Sequence, residues 1–284
     1  MPYILGGNTS IYLGSVTPAP VYDPDAQLFI TNVGITDLTE QSALNTFVIG
    51  LKGAGLWSLI YFMHVYLGSI ASKQKYNLVN PVDADSAFRL QFNGGWTHSA
   101  TGATPNGVNA WADTFFDPSL NLNTTDFASW GYYSRTDSAV ASEYVMGSNS
   151  GSTQAACALI ARRNTNQRFA IADFPSGTNY RTATDSLSTD GRGFFVGCVD
   201  GPNTKLFVNG TQVAANSTVT VNGALGSYAP VIGAIRADSG GPVIVGYTDK
   251  ECALDFVAKK LTNAQVLSLT NLVQAFQTSL SRQV

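Results

Sequence analysis

Carboxylates are the first place to look for chemistry in this chain, and they are scattered. There are three glutamates, Glu40, Glu143 and Glu251, and none has a second glutamate within six residues. Retaining glycoside hydrolysis needs two carboxyl groups about 5 Å apart, one protonated as acid and one acting as nucleophile. Asp249 and Glu251 fall on one face of a strand, but no third acid follows until Asp255. The two histidines, His64 and His98, are distant in sequence and no Gly-x-Ser-x-Gly elbow accompanies them. His64 sits in an apolar run and is expected to pack; His98 reads as a turn residue with a structural hydrogen bond.

Oxygen donors and aromatic rings are more promising. Asp113, Asp117, Asn121 and Asn123 cluster around one loop, and Asp83 and Asp85 form a second acidic pair. Ca²⁺ takes six to eight such oxygens, so Asp113, Asp117 and Asn121 are metal candidates, with solvated loop acids as the plain alternative. Sugar binding uses aromatic platforms with amides and hydroxyls fixing orientation. Trp111 and Trp130 fall in strand-like sequence and are expected in the core. Trp96, Tyr180 and Tyr228 lie in loop-like sequence and are the glycan-binding candidates.

Composition narrows the setting. The chain of 284 residues is 44% hydrophobic but only 12% charged, with 27 glycines, against about 25% charged in ordinary domains. A net charge of −3 without a clustered basic patch argues against nucleic acid. Three cysteines, Cys157, Cys198 and Cys252, have no Cys-x-x-Cys spacing and read as buried free thiols. The start lacks a basic and apolar leader. The most apolar stretch, 56–67, is shorter than the roughly twenty residues that span a bilayer, so membrane insertion is not expected.

The elements that must position these residues follow from periodicity. Residues 1–26, with Pro18, Pro20 and Pro24, read as an extended anchoring arm, or as a strand added to a sheet edge. Asp37 with Glu40 resembles a capping box, and Leu44, Phe47, Val48 and Leu51 recur at helical spacing. Residues 56–66 read as a second helix ending near Gly68, which makes 27–70 a helical attachment segment. From about residue 86 the period becomes two. Strands are expected at 88–92, 110–115, 128–133, 142–146, 156–161, 168–172, 193–199, 204–208, 218–221, 243–247 and 252–258. Asn209-Gly210 marks a tight hairpin, because type I′ turns need positive φ at both central residues. A C-terminal helix opens at Thr262 with Gln265 completing a capping box, and shows Val266, Leu269, Leu272, Val273, Phe276 and Leu280 on one face. The fold class is mainly β, an antiparallel jelly-roll sandwich over 71–284 with an N-terminal helical pair and a C-terminal helix.

Segments 109–116, 127–134, 194–213 and 261–269 together resemble the concanavalin A-like (LamG-like) jelly-roll domain. Segments 51–57, 88–99, 105–114 and 276–284 are similar to virion proteins of tailed bacteriophages. The resemblance spans residues 27–284 and implies a non-enzymatic structural protein of the phage particle, a capsid decoration or tail-fibre component. Its partners would be other virion proteins and copies of itself. The alternative it implies is a host-glycan-binding receptor-recognition protein of the tail. A glycan hydrolase is a third reading, but the glucanase pattern Glu-x-Asp-x-x-Glu is missing. No cofactor is implied beyond the Ca²⁺ that some LamG-like domains hold at the sandwich rim.

Overall fold

The computed structural model describes residues 21–122, 128–139, 143–150, 156–163, 166–173, 181–186, 189–200, 203–217 and 226–284. Helix α1 (Pro24–Val33) opens on Asp23, whose side chain accepts the Asp25 N–H, and stops at Gly34 with φ 71°. Pro24 is thus the first residue of a helix rather than part of an extended arm, a position that suits its missing N–H and fixed φ. Pro18 and Pro20 lie outside the described residues. Helix α2 (Leu38–Gly53) is capped by Asp37, which accepts the Glu40 N–H at 2.9 Å. The Glu40 carboxylate does not close the capping box; it accepts the Gly68 N–H at 3.1 Å.

The N-terminal helical pair is therefore α1 with α2, and residues 56–66 are not its second member. A single 3₁₀ turn at Trp57–Leu59 leads into strand β1 (Ile60–His64), antiparallel to β17 (Cys252–Lys259), with Met63 opposite Phe256 and His64 opposite Asp255. The physical reason is two-sided burial. Met63 joins the core under the helices while Phe62 joins the core between the sheets. A strand covered on both faces loses its period-two signature and reads as a continuous apolar run.

One sheet runs β13 (Thr211–Asn216), β12 (Asn203–Val208), β11 (Gly193–Asp200), β6 (Ala128–Ser134), β17, β4 (Gly102–Pro105), β3 (Trp96–Ser99), with β1 also on β17. The other runs β10 (Arg181–Asp185), β9 (Arg168–Asp173), β8 (Ala156–Ile160), β7 (Met146–Asn149), β14 (Val231–Ile232), β5 (Trp111–Asp113), β2 (Gln91–Asn93). A hairpin of β15 (Ile235–Asp238) and β16 (Pro242–Val245) joins this second sheet at β7. Among the described residues, pairing is antiparallel apart from the β15–β7 contact. Short helices α3 (Ala71–Gln74) and α4 (Pro118–Asn121) interrupt the connections. Residues 218–221 lie outside the described residues.

The first sheet is the middle of three layers. Along β11, Phe194, Val196 and Cys198 face the helices, whereas Phe195 and Val199 face the second sheet. Helix α5 (Asn263–Ser279), with the Thr262–Gln265 capping box formed, lays Val266, Leu269, Val273 and Phe276 onto the helix-side core, and Phe276 stacks on Phe47 at 4.7 Å. Asn209 and Gly210 carry φ of 47° and 79°, the type I′ hairpin. Arg282, past α5, is wholly buried and donates to the carbonyls of Val65, Tyr66 and Ala253 and to Gln277 Oε1, tying the chain end to the sheet. Burial lowers its guanidinium pKa to about 10. All three cysteines are thiols outside any disulfide; Cys198, which accepts from Ser129 Oγ at 3.2 Å, and Cys252 are buried and Cys157 is half-buried.

Candidate functional site

The acids and histidines are drawn into structural pairings. Glu143 and Lys250 are both wholly buried and form an ion pair, with Thr248 Oγ1 donating to Glu143 Oε2 at 2.7 Å and Lys250 Nζ donating to Ser138 O at 2.9 Å. Burial raises the Glu143 pKa against the pull of Lys250. Glu251 accepts from Arg135 Nη1 at 3.0 Å and Thr101 Oγ1 at 2.6 Å, and Asp249 accepts from Ser138 Oγ. His64 is buried between Asp255 Oδ1 (2.7 Å) and the Phe88 carbonyl (2.9 Å), and the Tyr66 hydroxyl donates to Asp255 Oδ2 at 2.6 Å. It is a packing histidine, as expected, but on a strand and holding a carboxylate.

His98 lies on β3 rather than in a turn. Its Nδ1 is 2.6 Å from Gln74 Oε1, and Gln74 Nε2 points at the carbonyls of Tyr66 and Ser99. With the amide fixed that way round, His98 Nδ1 carries the proton and donates. Burial lowers its pKa below the ordinary 6.5.

The metal candidates separate. Asp117 caps α4, accepting the Ser119 N–H and hydroxyl at 2.8 and 2.6 Å, and Asn121 Nδ2 donates to the Asp117 carbonyl at 2.8 Å. Asp113 is instead committed to the Phe115 N–H (3.0 Å) and to the Arg236 guanidinium. Asn123 lies outside the described residues. Among the described residues no group of three or more His, Cys, Asp or Glu side chains is placed to hold a metal ion.

The aromatic residues divide differently from expectation. Trp130 is buried between the sheets, its indole lying over Gly197, where an added Cβ would come within 2.6 Å of the ring. Trp96 is half-buried at the sandwich edge with Phe92 (5.2 Å) and His98 (6.4 Å), and its Nε1–H donates to the carbonyls of Asn93 (3.0 Å) and Trp111 (3.3 Å). Tyr228 is half-buried beside β7, its N–H donating to Ser150 Oγ at 3.2 Å. Tyr180 lies outside the described residues. Trp111, expected in the core, belongs to neither core and is only half-buried.

Strand register explains Trp111. On β2 and β5, Phe92 pairs with Ala112 and both contribute to the inner core, so their neighbours point outward. Gln91 stands opposite Asp113, and Asn93 opposite Trp111. Arg236 from β15 lies over the Trp111 ring at 5.6 Å, pairs with Asp113, and donates through Nη1 to the Ala229 carbonyl at 2.9 Å. That last bond brings the Tyr228 segment to the same rim. One step further, Arg89 lies over Phe115 at 5.6 Å. The outer face of β2–β5 therefore presents an indole, a carboxylate, two carboxamides and two guanidinium groups. The signal was present as Gln91-Phe92-Asn93 and Trp111-Ala112-Asp113, where the small Ala112, not the tryptophan, is the inward residue. A polar cleft of about 400 Å³ beside the start of α2, lined by residues that include Asp37, Glu40, Ser69, Lys73 and Ser281, has no aromatic ring in its lining.

No known protein family matches the chain, and neither does any curated protein. Solved structures do resemble it in fold. One is described as "Cell entry of botulinum neurotoxin type C is dependent upon interaction with two ganglioside molecules"; it is 10% identical with a TM-score of 0.56, over 78% of this chain and 53% of that one. Another, the "Binding domain of Botulinum neurotoxin DC in complex with rat synaptotagmin II", is 9% identical with a TM-score of 0.52, over 77% and 52%. The chain spans about half the length of these structures. The likeness establishes a mainly β sandwich with antiparallel sheets as the architecture of this chain.

Proposed function

We propose that the chain is a non-enzymatic glycan-binding module and that the outer face of β2–β5 is its contact surface. The observation that carries this is the partly exposed Trp111, flanked by Asp113, Arg236, Gln91 and Asn93 on a face that neither core uses. An indole supplies the apolar platform for a sugar ring, and the surrounding donors and acceptors orient its hydroxyls. Neurotoxin structures of related fold are described by ganglioside and synaptotagmin binding, which supports the reading. Tyr228 flanks the face as a secondary contact, whereas Trp96 packs with Phe92 on the core side.

A place in a phage particle is carried by the segment resemblances at 88–99, 105–114 and 276–284. In that setting the helix layer attaches to other virion proteins or to further copies, through the exposed Leu28 (48%), Leu38 (70%) and Ile49 (52%). The second sheet then faces outward. Peptides of this chain in the mass spectrum of purified particles test that placement.

The binding surface is tested on an array of host polysaccharides with the wild-type chain and Trp111→Ala. Removing a platform that buries an aromatic side chain costs about 1.5–3 kcal/mol, so affinity should fall about tenfold or more. Silence of the wild-type chain across the array overturns the reading.

A further inference from the structure

Resting on the glycan-binding reading, we infer that the β2–β5 face takes a neutral saccharide with a vicinal diol, and not a sialylated or uronate-bearing one. The charges of the face decide this. Arg236 is paired with Asp113, and the carboxylate is held in place by the Phe115 N–H. The second guanidinium, Arg89, sits between Asp85 (2.7 Å) and Asp83 (3.5 Å), and Asp83 also takes Lys75 at 2.6 Å. Every cation along this rim thus has a carboxylate beside it. An acidic sugar placed near Arg236 meets Asp113 at a similar distance. The two interactions are of similar size and opposite sign, and they cancel.

Hydrogen-bonding capacity points to hydroxyls instead. A carboxylate has about four lone-pair sites, and Asp113 uses one on Phe115 N–H and one on Arg236. Arg236 spends one N–H of Nη1 on Ala229 O and one of Nη2 on Asp113, which leaves donors of its five-proton fork for a ligand. The pair therefore offers an acceptor and a donor side by side, and two adjacent hydroxyls satisfy both, one donating to the carboxylate and one accepting from the guanidinium. Asn93, opposite Trp111, adds a carboxamide next to the ring. The indole holds the C–H face of the same sugar.

The test measures binding of the full chain to neutral hexose oligosaccharides and to the same cores bearing sialic or uronic acid, at about 0.05 M and about 0.5 M salt. Neutral oligosaccharides should bind, with less than about a twofold change in Kd between the two salt concentrations. Trp111→Ala and Asp113→Asn should each weaken them about tenfold, and Trp111→Phe should keep most of the affinity. Thermal unfolding of each variant separates a lost contact from a lost fold. Binding confined to the acidic glycans, weakened by salt and abolished by Arg236→Gln, overturns the neutral assignment and leaves a glycan-binding module standing. Binding to neither class overturns the module itself.

Discussion

Asp255→Ala should be among the most damaging single substitutions in the chain, and the reason is a count of hydrogen bonds. The Asp255 side chain is wholly buried and accepts from His64 at 2.7 Å and Tyr66 at 2.6 Å. Burial and the nearby carboxylate hold the Tyr66 pKa well above its ordinary value, so the hydroxyl stays a donor. Truncating Asp255 strands both groups without water. Each unsatisfied buried polar group costs about 1–3 kcal/mol, and breaking a buried charged pair costs about 3–5 kcal/mol. About 4 kcal/mol is then a large fraction of a total stability of about 5–15 kcal/mol. Urea unfolding measures it: with a slope of about 3 kcal/mol/M the midpoint drops by about 1.3 M. The companion variant His64→Leu/Tyr66→Phe/Asp255→Leu removes the carboxylate together with its imidazole and phenol partners and replaces them with apolar volume, leaving behind the weak Cys252 thiol contact and the Phe88 carbonyl. It should recover most of the loss, since exchanging a complete buried pair for packed hydrophobes is often neutral. A single variant within about 1 kcal/mol of wild type, or a triple variant no more stable than the single, refutes the reasoning.

Two further outcomes follow from local geometry. Gly197→Ala places a Cβ within 2.6 Å of the Trp130 ring, so overpacking should cost about 1–3 kcal/mol in chemical denaturation; Trp130→Phe in the same background should relieve part of it. His98 should titrate below the ordinary 6.5 because burial disfavours its charged form. Its contribution to stability is complete above the unfolded value and is lost as pH falls through the depressed folded value. An NMR titration of the ring that gives 6.5 or higher contradicts this.

Much of the fold was legible in sequence because its signals are local. Asp37, Thr262 with Gln265, and Asn209-Gly210 each act within a few residues; the Thr262 capping box and the Asn209-Gly210 turn form as expected, and Asp37 caps α2 although Glu40 does not close its box. The helix expected at 56–66 failed for a non-local reason. Phe62 and Met63 are buried on opposite faces of one sheet, and nothing within that segment reveals that a helix layer lies on one side and a second sheet on the other. Trp111 failed for the converse reason. A tryptophan in a strand pattern is expected in a core, yet a strand has two faces, and the pairing of Phe92 with Ala112 assigns the inner one to the small residue. Arg236 reaches this face from a hairpin more than a hundred residues away in sequence, a contact no spacing rule predicts.

The division of labour between the two sheets bears on where function can reside. The central sheet is needed on both faces, so its side chains are set by packing: Phe194 and Phe256 under the helices, Trp130 and Phe195 toward the second sheet. Changing any of them to suit a ligand would cost core packing of about 2–5 kcal/mol. The β2–β5 pair gives the core Phe92 and Ala112, and its outward residues are free of that constraint. Core packing alone gives little reason to keep a partly exposed indole there, beneath the guanidinium of the mostly buried Arg236–Asp113 pair. Recognition of a ligand supplies one. That is why the outer face of β2–β5, rather than the buried His64–Asp255 pair with its more conspicuous chemistry, is the place to look for binding.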